Sequence, residues 1–550
     1  MPVGEVQPAQ KGVCLTEWAG GEKISVPVEV IGALEATRPG GRAVLVRLAD
    51  PRFADSGVVA GMSGSPVYVE GKLLGAIAFG WNFAREPLAG VTPFEDMAAI
   101  PVGKHSQPAS RAFQIADLQA AMAGTLSISQ LMPSISPGHY QTPLLLPQVG
   151  PLEVPWQQVG LLPVFGGKAE STLEAPPEAG DMVAAVLVWG DVQIAAGGTL
   201  TAREGNTFFA FGHPLVAAGH VRMPAVRARV LAVQSSYAAP FKIFSLGKPF
   251  GTFVADQPAG LVAAAGEPPE GLPVNVTVRA GQSVADFRFH LAEVPLLQPI
   301  LAAYLTASSL SFNQGQNANL TVDLVAKITF ADGNVLNLRQ NTAAPDAVNR
   351  AANFVGALLG LLNNLPFPAP AIASIDLITS RSDYQIGTVL EAVPHRRKVR
   401  PGGKLKVTVK IQPSHSPPES RNLDLEIPTD LAPGKLDLIV ADGAAFADYL
   451  FRSQKTTYAN FPQLLGVLSR LEPSSHLVLA LETQEPGLAF PAGVAPSLPP
   501  SVAALWFQPL PLGLSQRLTT NLVAVTRMAY PWPLSGALRV PLEISPMEAP

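Results

Sequence analysis

The 550-residue chain holds a single cysteine, Cys14, so an internal disulfide framework is excluded. Cys14 lies among small and apolar residues with no His or Cys close in sequence, and it reads as a buried, inert thiol. Charge is also scarce: 15% of residues are charged and the net charge is −4, which leaves no basic footprint for nucleic acid. The densest basic cluster, Arg396, Arg397 and Lys398 with Arg400, reads as a solvated strand end. Long hydrophobic runs are missing. The longest helix-like apolar stretch, Ala351 to Leu362, is too short and too interrupted by glycine to span a bilayer. The first residues, Met1 to Pro8, carry no charged head followed by an apolar run, so no signal peptide is visible.

What the chain has instead is apolar residues (47%) with 48 Gly and 54 Pro spread along its length. Many short strands joined by turns produce that pattern, and the length predicts two to four domains. Residues 24–34 and 42–48 read as strands around an Arg38-Pro39-Gly40-Gly41 turn, and Pro108 to Met122 as a helix with Ser110 as cap. Met182 to Trp189 is the continuous apolar run of a fully buried strand, and Pro345 to Leu365 reads as one amphipathic helix. Lys404 to Gln412, Leu423 to Ile427 and Leu436 to Val440 alternate cleanly, which predicts an immunoglobulin-like sandwich without its cysteine pair.

The stretch with the clearest chemistry is Gly61-Met62-Ser63-Gly64-Ser65-Pro66, followed by a strand, a Glu70-Gly71 turn and a second strand ending in Phe79-Gly80-Trp81. Glycines flanking a serine let the backbone turn sharply, so that N–H groups can face a developing oxyanion. The run resembles the nucleophile loop and following hairpin of chymotrypsin-like serine peptidases. It is closer to the SpoIVB family of sporulation serine peptidases, whose nucleophile lies in this same six-residue motif. A second strand–turn–strand, Gly198 to Pro214, ends in Gly212-His213 and resembles the hairpin that carries the family's histidine.

The resemblance implies Ser63 as nucleophile, His213 as general base and acid, and the backbone N–H groups of Gly61 and Ser63 as oxyanion donors. Ser65 reads as a small residue that lets the loop pack. Asp50, which ends a strand shortly before Ser63, is the candidate that orients the histidine, and Asp55 is its rival. Residues Gly75, Ala76, Ile77, Ala78, Phe79 and Gly80 would form the edge strand that pairs with an extended polypeptide substrate. His220 is the nearest other histidine, but no Cys or clustered carboxylate supports a metal pair; neither metal nor cofactor is implied.

The chain order departs from the family, in which the histidine hairpin precedes the serine loop. Here Asp and Ser come first, as in a permutation of two half-barrels. The expected fold is mainly β with few helices: a permuted chymotrypsin-like double barrel followed by immunoglobulin-like sandwiches. Expected divisions are 1–107 (Asp and Ser half-barrel), 108–179 (helical, Pro-rich connection), 180–275 (His half-barrel), 276–370 (β-rich with one helix), 371–455 (sandwich) and 456–550 (C-terminal β domain). No stretch reads as the PDZ domain that SpoIVB carries. The implied activity is a serine endopeptidase acting outside the cytoplasm, on other proteins or on its own chain. The rival reading is a non-catalytic envelope or surface protein that keeps the fold as a scaffold.

Overall fold

In the computed structural model, residues 1–38, 41–54, 57–81, 83–103, 113–133, 140–147, 152–165, 175–312, 319–454, 458, 460–483, 487–490, 493–495, 516–518 and 520–545 are described. Asp55, Ser110 and the Pro39-Gly40 turn lie outside them. The chain divides into two compact units, one made of residues 1–112, 128–274 and 288–304, the other of 113–127, 275–287 and 305–550.

The first unit contains two closed six-stranded barrels. The first comprises β1 (Lys11–Glu17), β2 (Lys23–Arg38), β3 (Gly41–Leu48), β4 (Pro66–Val69), β5 (Lys72–Phe79) and β6 (Leu88–Pro93), closed in the order β1-β2-β3-β6-β5-β4. Alternation sets its interior: β3 points Val44, Val46 and Leu48 into a core with Val26, Val28, Val67, Leu74 and Val91. The β4–β5 hairpin turns on Glu70 (φ 51°) and Gly71 (φ 75°), the doubly left-handed geometry of a two-residue hairpin turn. Cys14 sits in this core, fully buried, and burial pushes its thiol up to about 12.

The second barrel comprises β7 (Met182–Gly190), β8 (Ile194–Glu204), β9 (Thr207–Ala210), β10 (Gly219–Gln234), β11 (Phe241–Gln257) and β12 (Gly260–Ala265). Pairing runs β7-β8-β9-β12-β11-β10 and returns to β7. This is the strand order of the first barrel repeated. The apolar run Met182 to Val188 is buried throughout, as a strand covered on both faces must be. Outside the ring, Thr142–Leu146 pairs antiparallel with β8 and parallel with Leu161–Phe165.

In the second unit, Leu320–Phe330 is flanked by Val335–Ala344 and Ile372–Asp383, and the helix Ala347–Asn363 is buried around most of its circumference. Helix Ile115–Met122 forms only the later part of the expected 108–122 helix, and residues 104–112 lie outside the described ones. A four-stranded sheet (Glu419–Glu426, Lys404–Pro413, Gly387–Pro394, Leu534–Ser535) and a five-stranded sheet (Lys398–Val399, Ala537–Ile544, Gly434–Asp442, His476–Thr483, Asn521–Ala529) share one apolar core. Leu405, Val407, Val409 and Ile411 face Leu436, Leu438, Val440, Leu479 and Leu481 in it. Residue 455 therefore does not bound this sandwich. Gly434–Asp442 pairs with His476–Thr483 across an excursion of two helices, Gly443–Gln454 and Phe461–Leu468. That helical crossover has no sequence mark in the strand alternation that suggested the boundary.

Among the described residues, no helix is long and apolar enough to cross a membrane.

Candidate active site

In each barrel the connection from third to fourth strand carries one predicted functional residue. Ser63 lies between β3 and β4, and His213 between β9 and β10. Both residues are buried, Ser63 at 6% and His213 at 3% exposure.

The serine loop is forced into shape by glycine. Gly64 has φ 97°, and a Cβ there would fall 1.9 Å from the Thr199 carbonyl oxygen and 2.5 Å from the Phe211 nitrogen. Only hydrogen fits in that space. Met62 N–H donates to the Val59 carbonyl (2.9 Å), Gly64 N–H to Ile77 (2.7 Å) and Ser65 N–H to Met62 (2.8 Å). The N–H groups of Gly61 and Ser63 donate to no acceptor among the described residues. These are the two groups expected to face an oxyanion. Ser65 is fully buried and donates to Thr16 Oγ1 at 2.9 Å, so it anchors the loop rather than merely filling space.

Beneath the loop lies Lys242, fully buried, whose Nζ donates to the same Thr16 oxygen at 2.8 Å. Burial pulls its ammonium down to about 8, against the opposing pull of Glu17 and Cys14. Glu17, in turn, leaves the first barrel to accept the N–H groups of Met182 (2.9 Å) and Val230 (2.8 Å) in the second.

The histidine loop turns on left-handed residues at Phe211 (φ 69°) and Gly212 (φ 67°). A left-handed phenylalanine is strained backbone, of the kind held in place only by its surroundings. Thr92 Oγ1, from β6, donates to the Gly212 carbonyl at 2.6 Å, and Phe211 N–H donates to Thr199 at 3.3 Å. His213 Nδ1 lies 2.7 Å from the Pro214 carbonyl oxygen. A carbonyl can only accept, so the proton sits on Nδ1 and the lone pair on Nε2, the tautomer a general base needs. Nε2 is buried and has no hydrogen-bond partner among the described residues. Tyr140 stacks on the ring with centroids 4.2 Å apart and planes 14° apart. Burial pulls the imidazole down to about 4, partly opposed by the bond to Pro214.

Asp50 is placed elsewhere than its expected role requires. Its carboxylate caps the Pro51–Phe53 turn through Arg52 N–H and is held by the Arg52 guanidinium at 2.7 and 3.0 Å, which lowers its pKa. No bond joins it to His213 among the described residues, and the imidazole takes its orientation from a backbone carbonyl.

The carboxylate that serves the histidine loop is Asp256, at the end of β11 and 1% exposed. It accepts the N–H groups of Leu215 (2.7 Å), Val216 (2.9 Å) and Ala218 (3.0 Å), directly after His213. Burial pushes its carboxyl up, against the pull of those donors. The sequence reading missed it; the available signal was an acid ending an apolar strand run, Phe253-Val254-Ala255, before a tight turn.

The expected edge strand is an edge only at its far end. Gly75, Ala76 and Ile77 pair with Pro93, Thr92 and Val91 of β6, while Gly75 and Ala76 also pair with β4 and Ile77 N–H bonds to Ser65. Ala78, Phe79 and Gly80 run past the last β4 pair. Phe79 packs edge-on against Trp81, which is 40% exposed.

Two Greek-key barrels of one strand order, with a serine loop and a histidine loop docked against each other, define the chymotrypsin-like double-barrel architecture. Over residues 2–96 the chain matches the family model of the SpoIVB peptidase S55. That match takes in the first barrel with Ser63 and stops short of the second. No curated protein and no solved structure matches the chain.

Proposed function

We propose that the protein is a serine endopeptidase working through an acyl-enzyme. Ser63 Oγ attacks the scissile carbonyl, its proton passes to His213 Nε2, and the oxyanion is held by the Gly61 and Ser63 N–H groups. His213 then returns the proton to the leaving amine, and water repeats the cycle on the ester. The observation that carries this reading is the pair of unclaimed donors at Gly61 and Ser63 in a loop whose neighbouring N–H groups are bonded. The match to a peptidase family over the same residues supports a peptidase in general terms. For the acidic member, the reading passes from Asp50 to Asp256, which orders the histidine loop through its backbone and not through the ring. The order of the barrels along the chain is immaterial, because the two loops occupy equivalent places in equivalent barrels.

In this reading the substrate is a polypeptide, the chain's own included, and the site of action is outside the cytoplasm. A fluorophosphonate probe should label the purified protein, and Ser63→Ala should abolish labelling. Labelling that survives the substitution removes Ser63 from the reaction. Mass spectrometry of the two proteins reports self-cleavage as a fragment present only with Ser63.

One observation favours the scaffold reading: Nε2 of His213 is sealed and makes no bond to Ser63. A wild-type protein that takes no label at any pH would decide for it.

A further inference from the structure

We propose that Thr199 is a positioning residue for the oxyanion turn, fixing its peptide planes through both its hydroxyl and its backbone N–H. The inference rests on the peptidase reading above. A peptide plane carries the carbonyl of one residue and the N–H of the next, so gripping the carbonyl aims the N–H. Every plane from residue 60 to residue 65 is gripped in this way. The Ala60 carbonyl accepts Lys242 N–H at 3.0 Å, and the Met62 carbonyl accepts Ser65 N–H at 2.8 Å. Those two planes bear the free donors of Gly61 and Ser63.

The planes between and beyond them are held by β8 of the other barrel. The Gly61 carbonyl accepts Thr199 Oγ1 at 2.8 Å, the Ser63 carbonyl accepts Thr199 N–H at 2.7 Å, and the Gly64 carbonyl accepts Thr201 Oγ1 at 2.7 Å. Thr199 and Thr201 are both fully buried, so no water substitutes for a lost hydroxyl. Gly61 has φ 98° and no side chain, so without the Thr199 hydroxyl its plane is held only by the Met62 N–H bond to Val59. The Thr199 carbonyl also accepts Phe211 N–H, which ties the same residue to the histidine corner. A single strand position thus holds the two peptide planes that flank the Ser63 N–H, and ties them to the histidine corner.

The test measures the second-order rate of fluorophosphonate labelling, and kcat and KM on a peptide ester, for wild type, Thr199→Val, Thr199→Ser and Thr201→Val. Thermal unfolding of each is followed alongside. Valine keeps the shape and deletes the hydroxyl; serine keeps the hydroxyl. Thr199→Val should lower the labelling rate and kcat by about 10- to 100-fold with KM nearly unchanged, because the loss falls on the transition state. Thr199→Ser should restore the rate to within about threefold. Thr201→Val, one carbonyl further from the donors, should fall between, and it carries the test if Thr199→Val does not fold. A folded Thr199→Val protein that reacts at the wild-type rate overturns the proposal. So does a serine variant as slow as the valine one, or, where Thr199→Val does not fold, a Thr201→Val protein indistinguishable from wild type. A wild-type protein that takes no label overturns the peptidase reading itself, and is thereby told apart from failure of the Thr199 assignment alone.

Discussion

The two barrels share a strand order, yet their third-to-fourth connections are held by opposite means. The histidine loop is tied mainly from within its own barrel, by the Asp256 carboxylate on the N–H groups of Leu215, Val216 and Ala218, with one further bond from Thr92 of the first barrel. The serine loop is tied from the other barrel, by Thr199, Thr201 and the backbone of Lys242. The serine loop has bonds of its own, from Gly64 to Ile77 and from Ser65 to Thr16, but the carbonyls of Ala60, Gly61, Ser63 and Gly64 take their bonds from the second barrel. Residues 2–96, the part that matches a known family, contain the serine loop but not Thr199 and Thr201, which bond to its carbonyls. In the proposed mechanism, a site divided in this way acts only once both halves are in place.

If the loops are two halves of one machine, removing the imidazole should have the largest effect. His213→Ala should lower kcat/KM on a peptide ester by roughly 10³- to 10⁴-fold while leaving the fold intact. Retention of most activity would detach the second barrel from the chemistry. The docking itself is probed by Gly64→Ala. The added Cβ meets Thr199 and Phe211 backbone at 1.9 and 2.5 Å, and denaturant unfolding should report a loss above about 3 kcal/mol. Gly71→Ala, also left-handed but with nothing within 4 Å, should cost only about 1 kcal/mol. Equal losses would mean that the loops do not meet.

Acid provides the next contrast. The folded-state pKa of His213 is about 4, below the ordinary 6.5 of an unfolded chain, so between these values the unfolded state binds more protons. Stability contributed by keeping the ring neutral is present above pH 6.5 and is lost as pH falls toward 4, by about 3 kcal/mol in all. Unfolding free energies measured at pH 7 and pH 4.5 should differ less in His213→Gln than in wild type. An unchanged difference would place the acid sensitivity elsewhere, and not at Lys242, whose own window of about 8 to 10.5 lies above both pH values.

The acids then compete directly. Asp256→Asn leaves one oxygen to serve three donors in a buried site and should cost about 2 kcal/mol in stability, together with activity. Asp50→Asn removes a surface pair with Arg52, worth about 0–1 kcal/mol, and should leave activity within a few-fold of wild type. A reversed ranking restores Asp50 as the acidic partner.

The contrast between the loops also explains what could be read from the sequence. The Gly61 to Gly71 motif and the Gly212-His213 corner were legible because each is a local device, in which glycine at a fixed place permits a left-handed turn. Alternation exposed the strands, and the all-apolar Met182 to Val188 declared a strand covered on both faces. Asp256 was illegible because it bonds to backbone N–H groups, which carry no residue signature, whereas Asp50 advertised itself by ending a strand shortly before Ser63. The same limit hid the clamps: Thr199 is an ordinary strand threonine until the other barrel is laid against it. It also hid the sandwich partner of Gly434–Asp442, because pairing across an intervening pair of helices leaves no trace in either strand.

Tyr140 offers the finest adjustment of the comparison, because it stacks on the imidazole itself. Its ring lies flat on His213, placed there by the strand Thr142–Leu146 that follows it, and together with Phe211 it seals the imidazole. Sealing lowers the ring's proton affinity and so weakens it as a base. Replacing the ring by a methyl group should let water reach the imidazole and move its pKa from about 4 back toward 6.5. Because the base must be neutral to act, the acid limb of the labelling rate should move upward in pH by the same amount in Tyr140→Ala. At neutral pH the stronger base should raise the rate by about tenfold. An acid limb that stays in place would show that the imidazole is buried by its own loop, and that Tyr140 only covers what Asp256 has already enclosed.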